Sequence, residues 1–244
     1  TLFAGLGATS AVLMLVFKDT ISGLAAGVRL TSNDMLHKGD WITVKSVDAN
    51  GIVEDMSLTT VKVRNFDNTI VTISPTTLVN GSFQNWIGMQ KSGGRRVKRV
   101  VYFDFRSVRL VDETLKRNLL AKHFATEDSF KLKESLQKAI DKDIQEGKDI
   151  EDLKNPAALA PTNLQLYRKF MEKYLRQRPE VNTDLTLMVR HMEATQCGLP
   201  IEFYFFIKDK VWVNYEHILA DIMEHAYALA NEFGLKIYEQ YPEQ

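Results

Sequence analysis

The chain has 244 residues with 31 basic and 31 acidic side chains, so no net field draws it to nucleic acid or to anionic lipid. Hydrophobic residues make up 45% of it, which suits one to three domains with substantial cores. A single cysteine, Cys197, excludes internal disulfides and fits a reducing compartment.

The first seventeen residues, TLFAGLGATSAVLMLVF, carry no charge, and Lys18-Asp19 follow. As a helix at about 1.5 Å per residue they cover roughly 25 Å, close to the roughly 30 Å of a bilayer's hydrocarbon core. Ala4, Gly5, Gly7, Ala8, Thr9, Ser10 and Ala11 make the helix small-sided, suited to packing against other helices rather than lipid. Thr1 is no natural start, so a fragment of a longer chain is expected, and a signal peptide with its basic leader is set aside. The competing reading is a core helix of a soluble protein. Gly5-Leu6-Gly7 half-matches a dinucleotide fingerprint, but that loop needs a preceding strand and none is present.

From Thr20 to Leu36 the pattern stays helical, with Ile21, Leu24, Ala25, Val28, Met35 and Leu36 apolar and Arg29, Asn33 and Asp34 polar. One apolar and one polar face fit a segment lying at a membrane surface or capping a soluble domain. Gly23 and Gly27 stand four apart on one helix face, where a neighbouring backbone can approach. Lys38-Gly39-Asp40 ends the helix and the period changes to two.

Residues 40–86 read as a compact β unit. Trp41–Val44, Ile52–Met56, Thr59–Arg64 and Ile70–Ile73 are strand-like, and Asp48-Ala49-Asn50-Gly51 is expected as a hairpin turn because Asn-Gly tolerates positive φ. Turn signals at this spacing predict a small barrel or sandwich. Pro75-Thr76-Thr77 opens a single helical turn before Ser82–Trp86.

Lys91–Arg96, with Gly93-Gly94, reads as a linker. Beyond it come a strand over Val97–Phe105, helices over Asp112–Phe124 and Phe130–Glu146, and a loop-rich stretch holding Pro156 and Pro161. A helix over Gln165–Arg178 stops at Pro179. Strands over Leu185–Glu193 and Ile201–Ile207 flank Gly198-Leu199-Pro200, and a helix over Tyr215–Phe233 ends at Gly234, an expected C-cap. A short strand at Lys236–Tyr238 completes an order that resembles a split βαβ sandwich.

Candidate chemistry is sparse. His217, Asp221 and His225 recur every four residues, a possible metal face, yet a solvated amphipathic helix gives the same spacing. No catalytic triad or Cys/His pair can be assembled by spacing, so an enzyme is not expected. Lys91, Arg95, Arg96, Lys98 and Arg99 place five cations in nine residues, which keeps an RNA-binding protein with Sm-like and ferredoxin-like modules as the alternative. Against it, the strand from Val97 lacks an RNA-recognition signature.

Four fragments occur in register: Lys38-Gly39-Asp40-Trp41-Ile42-Thr43-Val44, Gly51-Ile52-Val53-Glu54-Asp55, Ile73-Ser74-Pro75-Thr76-Thr77-Leu78 and Asn85-Trp86. With the Gly23–Gly27 helix before them, they resemble the small-conductance mechanosensitive channel (MscS-like) family over about residues 5–90. The long insertion and the segment from Leu185 to Pro200 resemble its miniconductance (YbdG-type) branch.

The resemblance implies an α+β membrane protein: a pore-lining transmembrane helix over 1–19, a kinked interfacial helix over 20–37, and a small Sm-like β barrel domain over 38–90. A linker over 91–96 and a ferredoxin-like α/β domain over 97–244, with a helical insertion at about 125–183, would follow. It further implies a homoheptamer in the bacterial inner membrane, with its C-terminal domains in the cytoplasm, contacting lipids and permeating ions, with no cofactor and no nucleic acid. Aligned through the Gly27 motif, Ala8, Ala11 and Leu15 would face the pore, Leu15 at its narrow apolar ring, and Asp19 would stand at the cytoplasmic mouth. Gly5, Gly7, Ser10, Gly23 and Gly27 would form the packing side. Other members carry a second Leu where Ala11 stands and a Gly hinge where Asp19 stands.

Overall fold

A computed structural model of the chain describes residues 2–131, 138, 141, 142, 145 and 160–239. It divides into two compact units, Thr1–Ser92 and Gly93–Gln244.

The first unit opens with α1 (Leu2–Ser32), one unbroken helix across the expected boundary at residue 19. The helix expected through Leu36 stops at Ser32 instead. Asp34 adopts a left-handed φ of 58°, and the Met35 N–H returns to the Leu30 carbonyl at 3.0 Å. That C-terminal closure satisfies the last carbonyls and turns the fully buried Leu36 inward.

Strands β1 (Trp41–Val44), β2 (Ala49–Met56), β3 (Val61–Asn65), β4 (Ile70–Ile73) and β5 (Gln84–Asn85) pair antiparallel in the order β4-β3-β2-β1-β5. Among the described residues no pairing joins β4 to β5, so the ladder stays open. Alternation places Ile42, Val44, Val53, Val61, Val63 and Ile73 inward, where Leu30 and Leu36 meet them. The short helix α2 (Pro75–Asn80), with Pro75 at its start, adds Leu78 to this core. Helix α3 (Ile87–Lys91) ends the unit.

The expected Asn50-Gly51 turn is not there. The chain reverses at a 3-10 turn over Lys45–Val47, with Asp48 at φ 52° supplying the left-handed residue. Asn50 and Gly51 lie within β2, opposite Thr43 and Ile42. Gly51 is needed for space, since a Cβ there would overlap the carbonyl of Arg64 on β3.

In the second unit β6 (Arg95–Phe103), β7 (Met188–His191) and β8 (Leu199–Ile207) form an antiparallel sheet ordered β6-β8-β7. Strand β6 begins inside the stretch expected to be linker. The Gly198-centred turn spans Thr195–Gly198, and Pro200 sits in the ladder opposite Tyr102. The expected last strand is a single bridge, Ile237 to Phe103. Helices α4 (Glu113–Ala121), α5 (Asn163–Gln177) and α6 (Trp212–Glu232) bury Leu119, Tyr167, Met171 and Ile222 with the sheet's Val97, Phe203 and Phe205. Gly234, at φ 66°, follows α6 as anticipated. Most of the expected Phe130–Glu146 helix and the loop around Pro156 lie outside the described residues; Glu127–Phe130 is a single 3-10 turn.

Two buried polar groups order this core. Asn163 donates to the carbonyls of Ser107 and Phe233 and accepts from the backbone of Arg109, tying three segments at 2.9–3.1 Å. The Tyr167 hydroxyl donates to the Ala226 carbonyl at 2.6 Å, and burial pushes its pKa up. On the opposite sheet face the fully buried Glu202 accepts from Arg190 at 2.6 Å, with Lys98 at 3.6 Å.

Candidate functional site

Helix α1 has two parts. Every residue from Ser10 to Ile21 is exposed, including Met14 at 70% and Leu15 at 75%. From Gly23 onward a stripe of Gly23, Ala26, Gly27 and Leu30 is buried, at the i, i+3, i+4, i+7 spacing of one helix face. Ser10–Ser32 is long and apolar enough to cross a membrane, and 17% of its most apolar window is buried. A core helix of a soluble protein would be mostly buried within its own chain, and this segment is not.

Three of the four expected pore residues fall in the exposed part. Ala11, Leu15 and Asp19 succeed one another at four-residue intervals and are all exposed, as is Ser10. Gly5, Gly7 and Ala8 are helical. The two later glycines differ. A Cβ on Gly27 would overlap the backbone carbonyl of Leu58, beyond the end of β2, whereas one on Gly23 would meet nothing within 4 Å. The close backbone approach at Gly27 comes from the chain's own β unit.

The root of α1 is fastened by a group to which the sequence reading gave no role. Asp40, 6% exposed, accepts the His37 backbone N–H at 3.0 Å and the Asn85 amide at 2.8 Å. The Asn85 amide also donates to the Met35 carbonyl at 3.2 Å, and its oxygen accepts from Ile87 N at 2.9 Å. One side chain thus links the segment after α1, the start of β1 and the entry to α3. The signal was present, since Asp40 and Asn85 both belong to the quoted motif fragments.

Beside this clamp Trp41 stacks on Trp86, with centroids 4.8 Å apart, and meets Phe66 edge-on at 5.3 Å. Asn50 accepts from Trp41 Nε1 at 2.9 Å and from Thr43 Oγ1 at 3.0 Å, which explains an Asn at that strand position. At the β3–β4 turn Asp67 accepts from the Thr69 hydroxyl and N–H, and these bonds hold its pKa below the ordinary value.

The other candidates do not assemble. Among the described residues no three His, Cys, Asp or Glu side chains gather as a metal site, and His225 Nδ1 lies 2.7 Å from the Asp221 backbone carbonyl. Strand alternation divides the basic cluster. Arg96 and Lys98 share one face, where Lys98 pairs with Glu202, while Arg95 stacks 4.3 Å over Tyr215 and Lys91 belongs to the first unit.

Residues 19–88 match the family model described as the mechanosensitive ion channel β-domain. The small-conductance mechanosensitive channel MscMJ of Methanocaldococcus jannaschii is 34% identical over 84 residues, 34% of this chain and 23% of the relative. The large-conductance mechanosensitive channel MscMJLR of the same organism is 30% identical over 129 residues, 52% of this chain and 35% of the relative. The matches therefore span about a quarter to a third of these curated relatives. Among solved structures, Helicobacter pylori MscS in its closed state aligns over 100% of this chain and 72% of its own, with a TM-score of 0.61 and 14% identity. Arabidopsis thaliana MSL1 aligns over 98% and 66%, with a TM-score of 0.64 and 10% identity. At those identities the two structures show the fold.

Proposed function

Because the chain has the MscS-like α+β fold and matches the mechanosensitive ion channel β-domain over residues 19–88, we propose that it is a subunit of a channel opened by membrane tension. The single observation that carries this reading is an apolar helix exposed on every side from Ser10 to Ser22 and rooted in that β-domain. Leaving the six side chains Val12–Phe17 in water forfeits on the order of 10 kcal/mol at about 1.5–3 kcal/mol each. Lipid and sister helices recover it.

In this reading several copies, seven by family resemblance, stand as a ring in the bacterial inner membrane. Ala8, Ala11 and Leu15 face the water path and Asp19 rings its cytoplasmic mouth. Gly5, Gly7, Ser10 and Gly23 let neighbouring helices approach. Gly27 serves the packing of α1 on its own β-domain. In the same reading the β unit is Sm-like and the second unit ferredoxin-like, both in the cytoplasm, and the resemblance of the long insertion supports the miniconductance (YbdG-type) branch.

A ring of apolar Leu15 side chains gates by dewetting, without a plug. Tension biases only states that differ in area within the bilayer, and a widening helix ring supplies that difference. Opening would release ions and small solutes on hypo-osmotic shock.

Pressure-clamp recording from membrane patches holding the full-length channel tests the proposal. Suction should open discrete conductances, and Leu15→Ser, by hydrating the constriction, should lower the opening threshold. Patches silent at all pressures short of rupture overturn the channel reading; an unchanged threshold and resting leak in Leu15→Ser remove Leu15 as the gate.

A further inference from the structure

The second unit holds a cavity of about 370 Å³ between the end of α4, the 3-10 turn at Glu127–Phe130 and α5. This is within the size range of small-ligand sites. Lys169 and Lys173 stand on its α5 wall four residues apart, on one helix face. Among the described residues neither lysine has a carboxylate partner, and no carboxylate lines the cavity. Like charges at i, i+4 on an exposed helix face repel weakly, and an anion seated between them relieves that repulsion.

The rest of the wall specifies what the anion carries. Phe124, Phe170 and Tyr174 line it with aromatic rings, and the first two are held edge to face at 5.2 Å by their own packing. Tyr174 is fixed by stacking on His225 at 5.8 Å. The His123 ring and the Ser129 hydroxyl add polar groups at the rim. His123 sits at φ 59°, a left-handed conformation that His adopts more readily than most residues, at the bend that forms this rim. The larger cavity of the same unit, about 830 Å³, is lined by acids as well as cations: Asp104 pairs with Arg106, Arg109 pairs with Asp112, and Lys236 and Glu239 also line it. No carboxylate lines the smaller one.

We propose that this cavity binds a phosphorylated organic anion with a flat ring, of mononucleotide class, its phosphate between Lys169 and Lys173 and its ring against the aromatic wall. The site lies wholly in the second unit and does not depend on the channel reading of α1.

Isothermal titration calorimetry of the full chain in detergent, with AMP, adenosine, inorganic phosphate and glycerol 3-phosphate, tests it. AMP should bind saturably, and the other three at least tenfold more weakly. Lys169→Gln and Lys173→Gln should each weaken AMP binding about tenfold, the loss of one charge-assisted hydrogen bond. Both lysines are exposed, so unchanged thermal melts of these variants separate a lost site from a lost fold. Absent AMP binding at millimolar concentration, or AMP affinity in both variants equal to the parent's, overturns the site. Glycerol 3-phosphate binding as tightly as AMP overturns the nucleotide class in favour of a lipid headgroup.

Discussion

Gly27 of α1 lies so close to the Leu58 carbonyl that a methyl group there would share its space. The apolar helix is therefore seated directly on backbone, with no side chain between to absorb a displacement. Gly27→Ala should lower the melting temperature of the chain in detergent, since overpacking costs about 1–3 kcal/mol and outweighs a helix-propensity gain of about 1 kcal/mol. Gly23→Ala has open space within the subunit and should keep that gain. A Gly23→Ala penalty that appears only in the assembled oligomer would identify Gly23 as a sister-helix contact. Equal melting temperatures for Gly27→Ala and the parent would mean the seat is loose.

The Asp40–Asn85 bond closes the other side of that root. Removing the Asn85 amide takes away one of the two donors to the nearly buried Asp40 Oδ2 and the donor to the Met35 carbonyl. Asn85→Ala should cost about 1–3 kcal/mol, the penalty of buried polar groups left unpaired. Thermal unfolding measures it, and a shift below about 0.5 kcal/mol would show that the His37 N–H alone holds Asp40.

A pH effect follows from the N-terminus of α4. Asp112 accepts the Leu115 N–H at 2.7 Å, and that bond, with Arg109 beside it, holds its pKa below the ordinary 3.8. A depressed folded-state pKa contributes stability above the unfolded value and loses it as pH falls through the folded value. The loss therefore begins below about pH 4. Asp112→Asn keeps a good cap but has no proton to gain. Its melting temperature should fall less than the parent's between pH 5 and pH 3; parallel falls would place the acid sensitivity elsewhere, for example at Asp104.

The sequence exposed the apolar helix, the strand positions of the β unit and the three helices of the second, because hydrophobic period and capping residues are local signals. It misled where a local signal was overruled. Asn50-Gly51 has the composition of a turn, but Asn50 was placed for Trp41 and Thr43, and Gly51 for the approach of Arg64. The candidate site was legible by half. The exposed apolar run that holds Leu15 is a local signal, whereas the Asp40–Asn85 bond joins residues 45 positions apart and Gly27–Leu58 joins a helix to a turn. The cavity beside Lys169 and Lys173 needs three segments brought together, which no single window of sequence contains.

Asp19 supplies the last test, because it is an exposed acid one turn beyond Leu15 on the same helix. In a ring of copies, carboxylates at the mouth of a narrow water path raise the local concentration of cations and repel anions. Lys18 is its sequence neighbour, and adjacent residues on a helix point apart, so it does not cancel the field along the stripe. Asp19→Asn should shift the reversal potential in asymmetric salt toward the anion's equilibrium potential, and raising the ionic strength should shrink the difference from the parent as screening shortens its reach. The substitution leaves the apolar run intact, so on the proposed channel reading the variant should open by suction as the parent does, and the measurement compares the two. Identical reversal potentials at low salt would place Asp19 away from the ion path.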